Sequence, residues 1–361
     1  MLETPEPHDG ARSDDERAVT PVAPSRPAAV EGLVVALAPD YFEVYAAGSI
    51  YLCRARGRLR KPRPAPAPHS GHGRVGESRT QAPALERPAR IATGDRVRIT
   101  MLGPAEGVIE ELLPRRNALS RTRSEVETEH VMMANVDLAA LVFAVREPEP
   151  RFDLLDRYLA LCEHASIPAL ILFNKSDLGL DQTIETAMAL YRGLGYPVLL
   201  TSARDGSGVN ELRARLAGRT SLLTGPSGVG KSSLINVLLP AAGQRIGAVS
   251  EATGQGRHTT TGARLLPLPE GGWLADTAGI RELALWNAPS EALPRLFVEL
   301  RPIADDCEYE DCSHADGEEG CALRAALAAG RITPGRWASF ERLLEEARER
   351  ERPAWRAPAH R

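Results

Sequence analysis

The chain has 361 residues, which indicates two or three domains rather than one. Its 43% hydrophobic and 25% charged residues are ordinary for a globular protein and exclude a collagen-like or wholly disordered chain. The net charge of −4 provides no general attraction to nucleic acid, so any such contact must be local. No apolar run approaches the ~18 residues of a membrane span, and the first residues contain no apolar signal segment. We therefore expect a cytoplasmic protein without a membrane partner, whose five cysteines are reduced and either buried or bound to metal.

The basic residues are almost all arginine, and Lys61, Lys175 and Lys231 are the three lysines of the chain. Such a composition is typical of GC-rich coding, which replaces lysine wherever arginine can serve. A retained lysine is therefore a candidate for a position that arginine cannot fill. Two of the three lie in the motifs described below.

The N-terminal third of the chain predicts a small β-barrel that follows a tail. Residues 1–30 are acidic and then rich in Pro and Ala, a composition typical of disordered tails. Five short segments with strand character follow, and they predict a five-stranded OB-fold over residues 31–115. The predicted strands are Leu33–Leu37, Tyr41–Ala46, Ser49–Arg54, Asp95–Met101 and Gly107–Leu112. The Arg- and Pro-rich stretch 56–90 predicts a flexible insertion in a barrel loop, and residues 116–135 predict a linker.

From residue 136 the pattern changes to that of an α/β domain. Asp137–Val145 is a near-continuous apolar run, as expected for a strand buried on both faces. Phe152–His164 has helical periodicity, and Ala169–Phe173 is a second apolar strand. The alternation predicts a mostly parallel sheet over residues 136–290. Residues 291–361 contain a Cys/His cluster and a charged helix, and they predict a separate helical domain.

Residues 225–232 read Gly-Pro-Ser-Gly-Val-Gly-Lys-Ser and fit the P-loop pattern G-x-x-x-x-G-K-[ST]. They stand between an apolar strand, Thr220–Thr224, and a predicted helix, Ser232–Leu239, which is the context that a P-loop requires. Backbone N–H groups of such a loop surround a β-phosphate, Lys231 reaches the β- and γ-phosphates, and Ser232 coordinates Mg²⁺. The predicted phosphate-binding residues are Gly225, Pro226, Ser227, Gly228, Val229, Gly230, Lys231, Ser232 and Ser233. The alternative is a Gly-rich turn with a solvated lysine.

A second motif, Asn174-Lys175-Ser176-Asp177, follows the strand Ala169–Phe173 and selects the base. The Asp177 carboxylate accepts two hydrogen bonds from guanine N1–H and the 2-amino group, a donor pair that adenine lacks. The Lys175 stem covers the base, and Asn174 holds the loop together. In the segment 201–203, Thr-Ser-Ala, we expect Ser202 and Ala203 to lie at guanine O6. The alternative is an ordinary polar loop.

Asp276-Thr277-Ala278-Gly279 fits D-x-x-G, and we expect Asp276 to hold Mg²⁺ and the Gly279 N–H to sense a γ-phosphate. The polar segment 256–261 before it is suited to a mobile switch whose threonine completes the Mg²⁺ shell. Thr260 is the favoured threonine, with Thr259 as the second candidate. The alternative is a hydroxyl-rich loop without a metal role.

The position after D-x-x-G often holds a glutamine that orients the attacking water, but here it is Ile280, which cannot do so. We expect slow intrinsic hydrolysis and take His258 as the internal candidate for orienting water. Arg257 is a second candidate, as a stabiliser of transition-state charge. The alternative for His258 is a structural or RNA-contacting histidine.

The order of these motifs differs from that of an ordinary GTPase, in which the P-loop comes first. Here N-K-x-D and T-S-A precede the P-loop and D-x-x-G, which indicates a circular permutation. The permutation is physically allowed because all the motifs are loops at one sheet edge and domain termini often lie close together.

The C-terminal domain begins with four residues whose types and spacing are typical of a zinc site, Cys307, Cys312, His314 and Cys321. Three thiolates and an imidazole complete a tetrahedral Zn²⁺ shell. Because the segment is too polar to form a core, metal would supply its folding energy. The alternative is a reduced cysteine cluster beside an incidental histidine. The other two cysteines, Cys53 and Cys162, are predicted to be buried small hydrophobes.

The permuted motif order, GPSGVGKSS, GRHTTT, the C-x4-C-x-H…C cluster and PRRNALSR together resemble one family, the bacterial ribosome small subunit-dependent GTPase A. The resemblance covers roughly residues 30–330. It implies an OB-fold, a permuted GTPase domain and a zinc domain. It also implies a role in late maturation of the small ribosomal subunit, with hydrolysis stimulated by that subunit.

The function predicted from the sequence is therefore that of a monomeric GTP-hydrolysing assembly factor that binds GTP or GDP, Mg²⁺, one Zn²⁺, the small ribosomal subunit and its 16S rRNA. Residues 54–98 hold twelve Arg or Lys against three Asp or Glu, and Arg115, Arg116, Arg121 and Arg123 add a second cluster for phosphate contacts. The alternative for the first cluster is a solvated loop. One alternative function is a GTP-dependent RNA-binding clamp with incidental hydrolysis. A small-molecule kinase is disfavoured by N-K-x-D and D-x-x-G.

Overall fold

The structure is a computed structural model that describes residues 29–60, 91–123, 126–240, 263–276 and 288–352. The predicted tail up to residue 28 and most of the predicted insertion, 61–90, lie outside the described residues. So do the predicted switch segment 256–261 and the residues after Asp276 in D-x-x-G.

The N-terminal domain is the expected five-stranded closed barrel, with strand order β1-β2-β3-β5-β4. Its strands are β1 (Ala29–Leu37), β2 (Phe42–Ala46), β3 (Ser49–Ala55), β4 (Arg96–Met101) and β5 (Glu106–Leu112). Parallel pairing of β3 with β5 closes the barrel, and buried Val34, Cys53 and Ile99 belong to its apolar interior. The barrel begins at Ala29, inside the predicted tail, and the short helix α1 (Gly57–Arg60) lies inside the predicted insertion.

The segment 116–135, predicted to be a linker, instead contains an antiparallel hairpin of β6 (Ala118–Arg123) and β7 (Val126–Ala134). The high charge of this segment conceals the alternation of its β-branched residues. Leu119 and Met133 are buried in the core of the following domain. Because the hairpin packs on that domain, it is part of the folded structure rather than a spacer.

The central domain is a six-stranded sheet in the order β10-β9-β8-β11-β13-β12, and every pair is parallel except β12–β13. Its strands are β8 (Leu138–Ala144), β9 (Ala169–Asn174), β10 (Val198–Leu200), β11 (Thr220–Thr224), β12 (Arg264–Pro267) and β13 (Trp273–Asp276). Its helices are α2 (Phe152–His164), α3 (Gln182–Gly193), α4 (Val209–Leu216) and α5 (Lys231–Leu238). All seven residues of β8 are buried, because apolar clusters cover both faces of the sheet.

The C-terminal module consists of α6 (Leu293–Leu296), α7 (Arg301–Ala304), α8 (Ala322–Ala328) and α9 (Pro334–Glu351). Phe297, Trp337 and Phe340 are buried in an apolar core that also includes Ala160 of α2. The expectation that metal supplies the folding energy of the polar segment 307–321 stays a prediction, and the helices around that segment have this apolar core of their own. No helix in the described part of the chain is long and apolar enough to cross a bilayer.

Candidate functional site

The loop between β11 and α5 has the backbone of a phosphate-binding loop. Gly225 has φ 151° and Gly230 has φ 92°, conformations that side-chain-bearing residues rarely adopt. A Cβ atom at Gly225 would lie 2.0 Å from the Val142 carbonyl oxygen, so only glycine fits there. Lys231 begins α5, and its Nζ donates to the carbonyl oxygens of Gly225 (2.8 Å) and Pro226 (2.6 Å). The ammonium therefore crosses the mouth of the loop, where a phosphate would bind.

Asn174 connects the base-reading loop to this phosphate loop. Its side chain is buried at the end of β9, and its Nδ2 donates to the carbonyl oxygen of Val229 over 2.8 Å. The Thr201 hydroxyl donates to Asn174 Oδ1 over 3.2 Å. Three segments that are distant in the chain therefore meet at the carboxyl edge of the sheet, which is where open α/β sheets bind ligands.

Asp177 lies at this edge in a 3-10 turn, Ser176–Leu178. Its Oδ1 accepts from the Ser202 hydroxyl over 2.7 Å, and its Oδ2 lies 3.6 Å from a guanidinium nitrogen of Arg204. Lys175 has φ 62°, and its ammonium donates to the Glu147 carbonyl oxygen. Arg204 and Glu147 were not singled out by sequence analysis, because a loop sequence does not reveal which neighbouring loop it will contact.

Three other predicted residues of the site, His258, Thr260 and Gly279, lie outside the described residues. Asp276 is the last residue of β13, which pairs in parallel with β11 and so ends beside the phosphate loop. This position is the one expected for a Mg²⁺ ligand of the predicted site.

The four predicted zinc ligands lie together. One ligand atom from each of Cys307, Cys312, His314 and Cys321 lies within 4.8 Å of the others. His314 Nδ1 is 3.5 Å from the Cys321 sulfur and 3.8 Å from the Cys307 sulfur. Zn–S bonds of about 2.3 Å and Zn–N bonds of about 2.0 Å give a tetrahedral S···N edge of about 3.5 Å. The cluster therefore fits one Zn²⁺.

Hydrogen bonds to the backbone hold the ligand loop in place. Glu318 accepts from the Ser313 hydroxyl and from the backbone N–H groups of Ser313 (2.8 Å) and Ala315 (3.1 Å), and these bonds, the hydroxyl's first, lower the pKa of its carboxyl to about 2. Arg324 of α8 donates to the His314 carbonyl oxygen over 3.0 Å. Burial lowers the pKa of His314, which favours the neutral imidazole that binds metal.

Two arginines of the predicted second basic cluster, Arg115 and Arg116, form ion pairs within the protein. The Arg115 guanidinium donates to both oxygens of Asp95, over 2.6 and 2.8 Å, and the Asp95 side chain is fully buried. Arg116 pairs with Asp137 over 2.7 Å. The Arg115 guanidinium therefore joins the barrel to the following segment, and contact of this cluster with RNA phosphate stays a prediction. The side chains of Arg121 and Arg123 are outside the described set.

A closed barrel, a P-loop domain in which the loop after β9 precedes the phosphate loop, and a Cys3His module together define a circularly permuted GTPase with two accessory domains. The family model described as RsgA GTPase matches residues 112–286. The small ribosomal subunit biogenesis GTPase RsgA of Moorella thermoacetica is 40% identical over 323 residues, covering 90% of this chain and 99% of that protein. The chain therefore belongs to the RsgA GTPase family.

Other relatives agree with this assignment. The protein of the same description from Azotobacter vinelandii is 46% identical over 264 residues, or 72% of this chain and 76% of its own length. The crystal structure of YjeQ from Thermotoga maritima matches this one with a TM-score of 0.66 and 30% sequence identity. The match covers 89% of this chain and 99% of that one. The structure of YloQ, described as a circularly permuted GTPase, is 26% identical with a TM-score of 0.66, covering 92% and 99%.

Proposed function

We propose that this GTPase acts in the cytoplasm in biogenesis of the small ribosomal subunit, as a monomer that binds the subunit and its 16S rRNA and hydrolyses GTP in response. The names of the relatives from Moorella and Azotobacter support the process. The main support for the nucleotide site is the 2.8 Å hydrogen bond from Asn174 Nδ2 to the Val229 carbonyl oxygen. This bond holds the base loop against the phosphate loop at one edge of the sheet.

Guanine is selected by Asp177 in this proposal. Its two oxygens are partnered by Ser202 and Arg204. Guanine N1–H and the 2-amino group are two parallel donors that suit a carboxylate, whereas adenine would place no donor pair against it. A carboxylate that faces adenine loses partners, which costs about 1–3 kcal/mol. The backbone of Ser202 and Ala203 lies at the guanine O6 side of the same pocket.

The phosphates lie in the loop 225–233 in this proposal, with Lys231 moving from its carbonyl partners onto the β- and γ-phosphates. Ser232, Asp276 and Thr260 hold Mg²⁺, which supplies charge neutralisation at the phosphates. Ser232 is the second residue of α5, so the positive end of that helix also faces the phosphates. His258 orients the water, and Gly279 senses the γ-phosphate.

Zinc has a structural role in this proposal. Cys307, Cys312, His314 and Cys321 leave no open coordination position, which is typical of a structural rather than a catalytic site. The metal would fix the ligand loop on the apolar core of the module.

Competition binding tests the base assignment. Asp177→Asn should lose affinity for GTP and gain affinity for XTP, because the xanthine 2-oxo group meets an amide donor. The matched control is Asp205→Asn, which changes an exposed carboxylate whose Oδ1 accepts from the Ser207 backbone N–H. Equal affinity of the wild-type chain for ATP and GTP would contradict the proposal, and so would an Asp177→Asn variant with wild-type base preference.

A further inference from the structure

Among the described residues, the barrel contacts the hairpin of β12 and β13 through a hydrogen bond, an ion pair and a ring contact. The Thr93 hydroxyl donates to the Ala263 carbonyl oxygen over 2.8 Å, and both residues are buried. Glu43 of β2 forms an ion pair with Arg264 over 2.7 Å. The rings of Tyr45 and Trp273 pack edge to face with centroids 5.0 Å apart.

These contacts add to the support that the sheet itself gives to β12 and β13. The two strands β12 and β13 have four residues each. In the described sheet, β12 lies at the edge, so it has one neighbouring strand. Apolar residues of both strands pack in the cores on the two faces of the sheet, Leu265 and Ala275 in one and Leu274 in the other. The barrel adds polar and aromatic contacts to this packing, and it does so at both ends of the hairpin, because Arg264 and Trp273 lie at opposite ends.

The hairpin also carries the proposed Mg²⁺ ligand. Arg264 is the register partner of Asp276, so the residue that Glu43 holds lies directly across the ladder from the ligand. Ala263, which accepts from Thr93, precedes Arg264 in the chain. A displacement of β12 therefore shifts the backbone of Asp276 relative to the phosphate loop.

We propose that Glu43 and Thr93 of the barrel are positioning residues for the magnesium end of the GTPase site, acting through β12 on Asp276. The inference rests on the proposed binding of GTP with Mg²⁺. It has a functional consequence, since a partner that moves the barrel against the GTPase domain would change the affinity of the site for Mg²⁺. In this way, binding at one domain is coupled to nucleotide chemistry in another.

The test measures how much Mg²⁺ is needed for tight binding of a fluorescent GTP analogue to the full chain. Thr93→Val removes the hydroxyl donor and keeps the side-chain shape, while Glu43→Gln removes one charge of an ion pair. We expect the half-saturating Mg²⁺ concentration to rise about fivefold for Thr93→Val and about twofold for Glu43→Gln. Affinity for GDP in EDTA should remain at the wild-type value, because the base loop and the phosphate loop are unchanged.

Two further variants separate positioning from a general loss of stability. Glu111→Gln breaks the ion pair with Arg98, which is 2.6 Å long and also lies on the barrel, and it should leave the Mg²⁺ requirement unchanged. Glu43→Arg and Arg264→Glu should each raise the Mg²⁺ requirement. The double variant, which re-forms the ion pair with its charges exchanged, should restore the wild-type value. Thermal unfolding confirms that each variant is folded, and the exchange pair tests the inference even if Thr93→Val does not fold.

A wild-type Mg²⁺ requirement in folded Glu43→Gln and Thr93→Val would overturn the inference while leaving guanine-nucleotide binding intact. An equal shift in Glu111→Gln would overturn it as well. Failure of the wild-type chain to bind guanine nucleotide in either condition would overturn the proposed function together with this inference.

Discussion

Replacing Arg336 with methionine should separate the C-terminal module from the GTPase domain. The Arg336 side chain is 3% exposed and donates to Asp156 of α2 (2.6 Å) and to both oxygens of Glu299 (2.6 and 2.9 Å). Burial lowers the Arg336 pKa, but the hydrogen bonds and charges of Glu299 and Asp156 outweigh it and raise the pKa above its ordinary value. Arg336→Met leaves two carboxylates in a nearly dry interface, where the Tyr191 hydroxyl, 2.7 Å from Asp156, is the partner that remains among the described residues.

The expected loss follows from the rule that removing one partner of a buried ion pair costs about 3–5 kcal/mol. Amide hydrogen exchange in α9 is the appropriate assay, because it reports local opening of the module rather than unfolding of the whole chain. Exchange there should accelerate by roughly 10²–10⁴-fold, because each 1.4 kcal/mol is about a factor of ten.

A matched control uses an exposed ion pair between the same two helices, α9 and α2. Arg342 pairs with Asp153 over 2.7 Å with half of its side chain exposed, so Arg342→Met should cost at most about 1 kcal/mol. Adding Asp156→Asn and Glu299→Gln to Arg336→Met should restore most of the protection, since no buried charge is then left without a partner. Equal exchange in Arg336→Met and Arg342→Met would refute this reasoning.

The remaining predictions concern hydrolysis and the cysteines. His258→Ala should leave GTP affinity near the wild-type value and lower subunit-stimulated phosphate release by roughly 10²-fold, the scale for losing a general base; wild-type turnover would return His258 to a structural role. The purified chain should contain one Zn²⁺ by elemental analysis, and Cys312→Ser should not retain it in full. Burial raises the pKa of Cys53 to about 11 and of Cys162 to about 12, so both remain protonated at neutral pH and alkylation should become faster as pH rises toward these values. Chelation at pH 8 should then expose three reactive thiols to a thiol reagent, and rapid reaction of all five would contradict the burial of this pair.

Patterns confined to a short stretch of chain predicted most of the architecture. The buried strand β8, the helix α2 and all five barrel strands follow from local periodicity. The phosphate loop and the Cys3His cluster follow from residue types at fixed spacing. Each of these signals lies within one element, so one sequence is enough to detect it.

Contacts between distant segments could not be predicted in the same way. The Arg336–Asp156 pair joins residues that are 180 positions apart, and Arg115 pairs with Asp95 across the whole β4–β5 hairpin, with no sequence signature for the contact. The hairpin of β6 and β7 was missed because its charged residues resemble those of a solvated linker. In each case, the fold brings a charged group or a strand next to a partner that the local sequence does not reveal.

The most direct test of subunit-stimulated hydrolysis is the rate of phosphate release from GTP, measured with and without purified small ribosomal subunits. Release by the chain alone should be slow, and it should rise at least about 10²-fold at saturating subunit, a smaller factor than the ~10³–10⁵-fold that a supplied arginine finger gives. The subunit alone should release no phosphate above background, and Asp177→Asn should not respond at the same GTP concentration. A wild-type chain that binds the subunit and hydrolyses GTP no faster than it does alone would contradict stimulation by the subunit. That result would favour a GTP-dependent clamp with incidental hydrolysis.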